Sequence, residues 1–337
     1  MNRTFFITGI SGHLGRTIAH ELLLNNEKVV GFVMPNEKNL NIKDYPNNKN
    51  LTIVYGTVLN EKDLDTFLTA KNNTNKILIH CAGLISISKK YEENVYKVNV
   101  DGTKLVTNKA IEHKVHKYIY VSSVHAIKEN GKNGLITETL NFNPDDVEGT
   151  YAKTKAIATA YVLAATKDKI NTTVVHPSGI MGPNDFLKGN INSVLTQYLK
   201  GSLTAIVKGG YDVVDVRDVA HGIISAVEHG KDHNTYILSG NYVSIKKMLD
   251  IASDFTNKKK IKFVLPSWFI TLTMPMIALH FVIRRQKPLF TLYSLRTLIS
   301  NSNFSNEKAR KDLNYAPRDI KITINDTINW LIKYDQI

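Results

Sequence analysis

The chain is poor in cysteine, because its 337 residues include only Cys81. A single cysteine cannot form an internal disulfide, and this usage fits the reducing interior of a cell. The N-terminus also lacks the charged start, apolar stretch and small-residue cleavage site of a secretory signal. These two absences predict a cytoplasmic protein.

Acidic residues are outnumbered: 30 Asp and Glu stand against 43 Lys and Arg, which gives a net charge of +13. Such a balance attracts nucleic acid, anionic membranes or anionic substrates, or it reflects a lysine-rich solvated surface. The lysines are dispersed, and the sequence has no basic motif interleaved with aromatic residues like those of nucleic-acid-binding modules. We therefore expect a small-molecule substrate and no nucleic acid partner.

Long hydrophobic runs are scarce, with one exception at residues 263–283, FVLPSWFITLTMPMIALHFVI, which Arg284 and Arg285 follow. Its length approaches the ~20 residues of a membrane span. Prolines, threonines and a histidine interrupt the run, so the sequence favours a buried or membrane-facing helical hairpin over a span. Peripheral membrane contact through 263–285, and with it a membrane-associated protein, stays open.

The first half of the chain alternates apolar, β-rich runs with amphipathic stretches. The runs typical of strands are TFFIT, KVVGFV, LTIVYG, KILIHCA, KYIYVSS and TTVVHP. The stretches typical of helices are GRTIAHELLLNN, EKDLDTFLTA, VYKVNVDGTKLVTNKAIEH and YAKTKAIATAYVLAATK. This alternation predicts an α/β fold with a doubly wound parallel sheet covered on both faces.

A glycine-rich turn, TGISGHLG, joins the first predicted strand to the first predicted helix. A second strand follows within about 30 residues, which is the setting of a dinucleotide-binding βαβ unit. Gly9 would permit the tight turn, Gly12 the approach of a pyrophosphate, and Gly15 close packing of the helix on the sheet. We expect a Rossmann-type NAD(P)-binding domain at 1–176. A smaller, mostly helical substrate-binding region would occupy 177–337, with about 211–240 returning to the first domain.

The spacing Gly-x-x-Gly-x-x-Gly resembles that of the extended short-chain dehydrogenase/reductase superfamily, the NAD-dependent epimerase/dehydratase family. Further motifs of that family follow in the same order over nearly the whole chain. They are HCAG at 80–83, NVDGT at 99–103, YVSS at 120–123, YAKTK at 151–155, HPSGIMGP at 176–183 and DVRDVAHG at 215–222. The members most similar are reductases of the dihydroflavonol and 3β-hydroxysteroid type.

Tyr151 and Lys155 are four residues apart in a predicted helix and so share one face. A tyrosine pKa near ~10 is too high for a base at neutral pH, and a nearby ammonium lowers it. The resemblance implies that Tyr151 exchanges the proton as hydride moves, and that Lys155 tunes Tyr151 and holds the nicotinamide ribose. It also implies that Ser123, rather than Ser122, holds the substrate oxygen.

Asn99 has two open interpretations: it organises a proton-relay water, or it ties a strand to a helix. His80, His125 and His176 have no metal-ligand spacing, so we interpret them as core or loop residues and expect no metal. The resemblance implies a larger set of cofactor-binding residues. They are Thr8, Gly9, Ser11, Gly12, His13, Leu14, Gly15, Met34, Lys38, Thr57, Val58, Cys81, Ala82, Gly83, Tyr151, Lys155, Pro177, Ser178, Gly179 and Ile180.

The choice between NAD and NADP depends on the end of the second strand, where an acidic residue favours NAD and an arginine favours NADP. The sequence there is FVMPNEKN, and Thr57 replaces the acidic residue usual after the third strand. We write NAD(P), with a lean to NADP because Arg16 and Lys38 are near.

Three functions are compatible with these motifs. Tyr211 stands where nucleotide-sugar enzymes carry a diphosphate-binding arginine, and Lys208 or Arg217 could replace it only by rearrangement. The apolar segment at 263–283 also suits a hydrophobic substrate, or else forms a core. We therefore expect an oxidoreductase acting on a hydrophobic alcohol or ketone. The alternatives are a nucleotide-sugar epimerase or dehydratase, and a non-catalytic NAD(P)-sensing protein.

The resemblance also bears on assembly, because extended members of the superfamily often pair through two long helices. The corresponding stretches here are 95–113 and 151–167. We expect a homodimer.

Overall fold

The computed structural model describes residues 3–37, 40, 42–71, 74–131, 134–187, 189–203, 205–266 and 292–337. Lys38 and most of the apolar segment at 263–285, from residue 267 onward, lie outside the described residues. Nothing in the structure therefore tests what the sequence predicts for them.

A seven-stranded parallel sheet organises the chain, in the order β3-β2-β1-β4-β5-β6-β10. Each of the six strands predicted in the first half is present. The bounds are β1 Arg3–Thr8, β2 Lys28–Val33, β3 Leu51–Tyr55, β4 Asn75–His80, β5 Lys117–Val121, β6 Asn171–Pro177 and β10 Asn234–Leu238. The predicted Rossmann-type doubly wound sheet is confirmed.

Successive side chains of the strands enter two different cores because the period of a strand is two. Phe5 and Ile7 pack against one set of helices, whereas Phe6 packs on the opposite face. The first face is covered by α1 His13–Leu24 and α7 Val216–His229. The second is covered by α2 Glu61–Thr69, α4 Thr103–Glu112 and α5 Thr150–Thr166.

The helix predicted over 95–113 is wound in three parts. α3 Glu93–Tyr96 leads into a π-helical segment, Lys97–Gly102, and α4 continues from Thr103. Such wide turns are rare and are found mostly at functional sites. The segment contains Asn99, one of the predicted site residues.

The second half builds two small sheets and a separate core. One sheet has the order β11-β9-β7 and the other pairs β12 with β8. The strands are β7 Gly179–Met181, β8 Ile206–Val207, β9 Gly210–Asp215, β11 Asn241–Ser244 and β12 Val264–Leu265. The helices are α6 Asn190–Leu199, α8 Ile245–Thr256, α9 Leu292–Ile299, α10 Glu307–Leu313 and α11 Ile320–Lys333.

The chain crosses between the two halves more than once. After β9 in the small sheet, α7 packs on the main sheet and β10 adds to its edge beside β6. This route runs through residues 211–240, the segment that the sequence predicts to return. The domain boundary near residue 176 stays a prediction.

Within the described ranges, no helix is both long enough and apolar enough to cross a bilayer.

The strand order reverses between β1 and β4, so a crevice opens at their carboxyl ends. In open α/β sheets, ligands bind at this switch point. The predicted site motifs follow β1, β4, β5 and β6, and the fold therefore brings them to one edge of the sheet.

Candidate active site

The glycine-rich turn after β1 has a conformation that demands glycine. Gly9 has φ +72°, and a Cβ atom there would lie 2.9 Å from Ala82 Cα. A Cβ atom on Gly15 would lie 2.2 Å from the Gly9 carbonyl oxygen. Both close approaches hold the start of α1 tightly against the ends of β1 and β4.

The N-terminus of α1 is free of a side-chain cap and has no acidic residue in its first turn. Gly12 is the N-cap residue, and a Cβ atom built there would meet the Gly9 carbonyl oxygen at 3.2 Å. In the described part of the chain, no other atom beyond its chain neighbours and its own helix comes within 4 Å. Uncapped N–H groups beside an open glycine suit a pyrophosphate, so a dinucleotide fits this turn.

Thr8, His80 and Thr103 form a buried chain of hydrogen bonds under the turn. Thr8 Oγ1 accepts from the Ala82 N–H at 3.2 Å and lies 2.6 Å from His80 Nδ1. His80 Nε2 lies 3.0 Å from Thr103 Oγ1, so the neutral ring bonds a threonine hydroxyl through each nitrogen. Burial, with the charge of Lys155, lowers the pKa of His80 to about 3. His80 is a neutral core residue, as the sequence suggests.

The two serines after β5 have different partners. Ser122 Oγ lies 2.7 Å from Thr159 Oγ1 in the core and is tied to α5. Ser123 Oγ accepts from the His125 N–H at 3.2 Å and begins a short 3₁₀ turn, Val124–Ala126. Ser123 keeps its hydroxyl proton for another acceptor, which agrees with its choice as the reacting hydroxyl.

Tyr151 lies in the first turn of α5, two residues after the N-cap Gly149, whose φ is +89°. Its side chain is half-buried, and its ring lies 6.2 Å from the His125 ring in an edge-to-face arrangement. The turn that begins at Ser123 packs against α5. Ser123 and Tyr151 therefore both contact His125, one through the backbone and the other through its ring.

Lys155 lies one turn further along α5 and is buried. Its Nζ donates to the Val121 carbonyl at 2.8 Å and lies 5.1 Å from the centre of the Tyr120 ring. Burial lowers the pKa of Lys155 to about 8. A Cβ atom on Gly83 would lie 3.5 Å from this Nζ, so Lys155 faces the crevice beside the end of β4.

Asn99 ties three parts of the site together. Its Oδ1 accepts from the Leu84 N–H at 2.8 Å, and its Nδ2 donates to the Leu84 carbonyl at 2.9 Å. Nδ2 also donates to Thr154 Oγ1 at 3.1 Å. Of the two interpretations, the structural tie is present, and the water relay stays a prediction.

Two further histidines have structural partners. His176 Nδ1 donates to the Ser123 carbonyl at 3.0 Å, and its ring stacks on Phe142 at 5.2 Å. Burial lowers its pKa to about 4. His13 Nε2 lies 2.8 Å from the Pro183 carbonyl oxygen, and burial lowers its pKa too. His13 thus links the glycine-rich turn to the loop after β7.

The surroundings of Arg16 and Glu37 bear on the choice between NAD and NADP. Arg16 is buried, with its guanidinium 4.6 Å from the Phe186 ring and 5.7 Å from the Tyr45 ring. It therefore faces aromatic side chains below α1 and does not support the lean to NADP. Glu37 is close instead, because its Oε2 accepts from Ser11 Oγ at 3.2 Å.

The other predicted cofactor residues lie around the same edge of the sheet. Met34 is exposed after β2, and Val58 is buried in the turn before α2, where the Thr57 N–H donates to Asp63 Oδ2 at 2.9 Å. Burial raises the pKa of the Cys81 thiol to about 12, so this thiol is not reactive. Pro177 ends β6, Gly179 and Ile180 begin β7, and Ser178 between them donates its N–H to the Leu238 carbonyl at 3.2 Å.

The substrate half lacks an available arginine at the position where a diphosphate would need one. Arg217 donates to both Asp215 carboxylate oxygens, at 2.9 and 2.8 Å, and pairs with Asp326 at 2.7 Å. Burial raises the pKa of Tyr211 to about 12, so it carries no charge at neutral pH. Lys208 is exposed on the turn before β9.

One cluster of metal-ligand side chains occurs in the part of the chain that the structure describes: Asp65, Glu112 and His113. The Lys109 ammonium lies 3.0 Å from Asp65 and 2.9 Å from Glu112, so it already neutralises both carboxylates. The cluster lies at the carboxyl end of α4, whereas Asn99 precedes the opposite end.

Three residues outside the predicted site set contact it in the structure. His125 contacts Tyr151, His176 holds the backbone of Ser123, and Glu37 contacts the glycine-rich turn. Only the position of His125, two residues after Ser123, could have indicated its place. The other two depend on contacts between residues far apart in the sequence.

Comparison with known proteins agrees with this geometry. A model of the NAD dependent epimerase/dehydratase family matches residues 5–239. The sterol demethylase protein B of Methylococcus capsulatus is 25% identical over 332 residues, covering 97% of this chain and 98% of that protein. A putative dihydroflavonol 4-reductase of Synechocystis is 26% identical, covering 97% and 94%. The crystal structure of gox2253 is 26% identical, has a TM-score of 0.83 and covers 100% of both chains.

Proposed function

Because the chain belongs to the NAD dependent epimerase/dehydratase family, we propose that it is an oxidoreductase that interconverts a secondary alcohol and a ketone on an apolar, sterol-like substrate. One observation carries this proposal. Ser123, Tyr151 and Lys155 lie at the same edge of the sheet as an uncapped helix N-terminus that suits a dinucleotide.

The proposed chemistry distributes three tasks among these residues. Ser123 donates a hydrogen bond to the substrate oxygen, and Tyr151 gives or takes the proton on that oxygen. Lys155 supplies positive charge that lowers the pKa of the tyrosine phenol. A bound nicotinamide would supply the hydride donor or acceptor. Since burial lowers the pKa of Lys155 to about 8, its assistance weakens as pH rises above that value.

The substrate class rests on the surface around Tyr151. The loop between β4 and α3 exposes Leu84, Ile85 at 73% and Tyr91 at 68%. Thr150, beside Tyr151, donates to the Lys90 carbonyl of this loop at 2.6 Å. An exposed apolar loop over the start of α5 suits a hydrophobic ligand.

Two further observations support this substrate class. Arg217 is ion-paired with two aspartates, so it is not available to bind a diphosphate. The sterol demethylase protein and the dihydroflavonol reductase to which the chain is similar bear names that refer to polycyclic compounds. We extend that substrate class to this chain as part of the proposal.

We propose NAD as the cofactor. The Glu37 carboxylate contacts Ser11 of the glycine-rich turn, and an acid after the second strand binds the 2′-hydroxyl of NAD but repels the 2′-phosphate of NADP. The experiment is a comparison of the two cofactors with wild type and Glu37→Gln. We expect wild type to bind NAD more tightly and Glu37→Gln to lose part of this preference. Equal affinities in wild type would contradict it.

The alternative, an epimerase or dehydratase, is supported by the family to which the chain belongs, because that family includes such enzymes. It predicts that a UDP- or dTDP-sugar raises the melting temperature of the cofactor-loaded protein, whereas hydrophobic ketones do not. A non-catalytic sensor of the same fold would bind cofactor tightly and turn over no carbonyl compound.

One screen separates the three functions. The cofactor-loaded chain is assayed with sterols, other hydrophobic ketones and nucleotide sugars by the absorbance of the reduced nicotinamide and by melting temperature. We expect oxidation or reduction of a sterol-like compound and no melting shift with nucleotide sugars. Stabilisation by a nucleotide sugar alone would contradict the oxidoreductase proposal.

A further inference from the structure

The segment after α8 presents an unusual concentration of positive charge. Residues 258–262 read Lys-Lys-Lys-Ile-Lys, and the four lysine side chains are exposed while Ile261 is buried. We call residues 257–264 the lysine strap. It begins at Asn257, whose positive φ of 56° ends α8, and it runs into β12.

The strap is fixed to the small domain along its length. Ser253 Oγ donates to the Lys258 carbonyl at 2.6 Å, and Tyr198 OH donates to the Lys259 carbonyl at 3.2 Å. The Ile206 N–H donates to the Phe263 carbonyl at 3.1 Å. Because its backbone is anchored and Ile261 lies in the core, the strap directs its lysines outward as one surface.

Most of this charge is not neutralised locally. Lys260 pairs with Asp254 at 2.7 Å. Lys258, Lys259 and Lys262 have no ion pair within 4 Å among the residues that the structure describes. Three neighbouring cations attract an anionic surface, and the range of this attraction is the screening length, which shortens as ionic strength rises.

An exposed aromatic side chain accompanies the lysines. Phe263 is 72% exposed, Val264 beside it is 38% exposed, and Phe255 at the end of α8 is 42% exposed. Exposing Phe263 to water is unfavourable, and neither a dissolved anion nor a salt bridge would remove that cost. A surface that has anionic groups above an apolar layer would pair with the lysines and also remove the phenylalanine ring from water.

We infer that the lysine strap docks the protein on an anionic lipid surface, with the lysines at the headgroups and Phe263 in the interface. The sequence after the strap is consistent with this partner, since residues 265–283 are mostly apolar and are followed by Arg284 and Arg285. The inference is independent of the proposed reaction and would hold for any substrate.

The test uses the full chain and vesicles of phosphatidylcholine, with or without phosphatidylglycerol, in a sedimentation assay. We expect binding only when phosphatidylglycerol is present, and a loss of binding when ionic strength rises from about 0.01 M to about 0.15 M, where screening shortens to ~8 Å. No binding to anionic vesicles at low ionic strength would overturn the inference.

Two variants separate the strap from the overall charge. The triple variant Lys258→Gln, Lys259→Gln, Lys262→Gln should weaken binding by roughly tenfold or more, because each lysine near an anionic leaflet contributes independently. The control triple Lys49→Gln, Lys62→Gln, Lys169→Gln removes equal charge from exposed sites elsewhere and should bind as wild type. Equal losses in both triples would overturn the inference.

A third variant tests the aromatic contact. Phe263→Ser should weaken vesicle binding severalfold at constant charge, with an unchanged circular dichroism spectrum because the side chain is exposed. Unchanged binding of this variant would overturn the role of Phe263. Release from vesicles by an equal charge of duplex DNA would show that the strap binds polyanions in general and would also overturn the inference.

Discussion

At the scale of single residues, the proposed proton-transfer group, Tyr151, gives the most direct test. Tyr151→Phe removes one hydroxyl and leaves the glycine-rich turn unchanged. We expect turnover to fall by roughly 10²–10⁴-fold, the usual contribution of a positioned acid or base, with cofactor affinity nearly unchanged. Steady-state kinetics and cofactor titration measure the two quantities. Ordinary turnover would exclude Tyr151 as the proton donor.

Lys155 should behave differently from Tyr151, because the proposed mechanism gives it two tasks: it tunes the phenol and holds the nicotinamide ribose. Lys155→Ala should reduce turnover and also weaken cofactor binding. A matched control is Lys153→Ala, which removes an exposed lysine from the opposite side of the same helix turn. If Lys155→Ala affected only the melting temperature, a structural role would replace the proposed one.

Buried histidines make the folded state sensitive to acid. The folded-state pKa values of His80 and His176 are about 3 and about 4, well below the ordinary value of a histidine. Between those values and about 6.5, the unfolded chain binds more protons than the folded one, so the free energy of unfolding falls as pH falls. Denaturant titrations across this range should show that dependence.

A single substitution isolates one histidine from the other acidic groups. His176→Gln should make the free energy of unfolding depend less steeply on pH below about 6.5, because one titrating group is removed. The measured quantity is the slope, so a general loss of stability in the variant does not obscure it. An unchanged slope would mean that His176 does not titrate on unfolding.

At the scale of elements, the junction of β1 and α1 is the most constrained. Gly15→Ala would place a Cβ atom 2.2 Å from the Gly9 carbonyl oxygen. We expect a stability loss of about 1–3 kcal/mol from overpacking, together with weaker cofactor binding. Gly222→Ala is the control, since it is also a helical glycine but meets movable side chains of Leu238 and Tyr315 at 3.0 and 3.1 Å. Retained cofactor affinity in Gly15→Ala would contradict this prediction.

The same junction shows what could be predicted from sequence. The turn at 8–15 has a strand before it and a helix after it, so local patterning and glycine spacing suffice to identify it. Local sequence does not predict where the Arg16 side chain lies. Its guanidinium packs near the rings of Phe186 and Tyr45, which are distant in sequence. Arg16 therefore gives no support to the lean to NADP, which stays a prediction.

The second half of the chain illustrates the same limit. Its strands β8 and β12 have two residues each, so hydrophobic periodicity cannot identify them. Arg217 forms ion pairs with Asp215 and Asp326. Asp326 lies in α11, near the end of the chain, so this pair depends on a contact between residues far apart in the sequence. The sequence could indicate that a diphosphate contact was missing there, but not which residues replaced it.

At the scale of the whole molecule, we propose a homodimer formed through α4 and α5. α5 buries residues on the side that faces the sheet, yet its other side is also apolar, with Ile157, Ala160 and Ala164 half-buried or exposed. A helix that is apolar on all sides is normally buried on all sides. In a dimer, α4 and α5 of the second subunit would bury the outer face of α5.

A charge placed on that face should separate the subunits. We expect wild type to sediment as a dimer, and Ala160→Arg to sediment as a monomer with its helix content retained. Thr66→Arg adds the same charge on the exposed face of α2 and should remain dimeric. A monomeric wild type at micromolar concentration in analytical ultracentrifugation would contradict the proposed assembly.

The position of β10 has a consequence for how this protein is made. The outermost strand of the main sheet, residues 234–238, leaves the ribosome after the small-sheet strands β7 to β9, and until then the neighbouring β6 has a bare flank. Unpaired strand flanks invite pairing with other chains. A nascent polypeptide halted shortly after residue 176 would therefore be prone to aggregate, although it already encodes six of the seven strands of the main sheet.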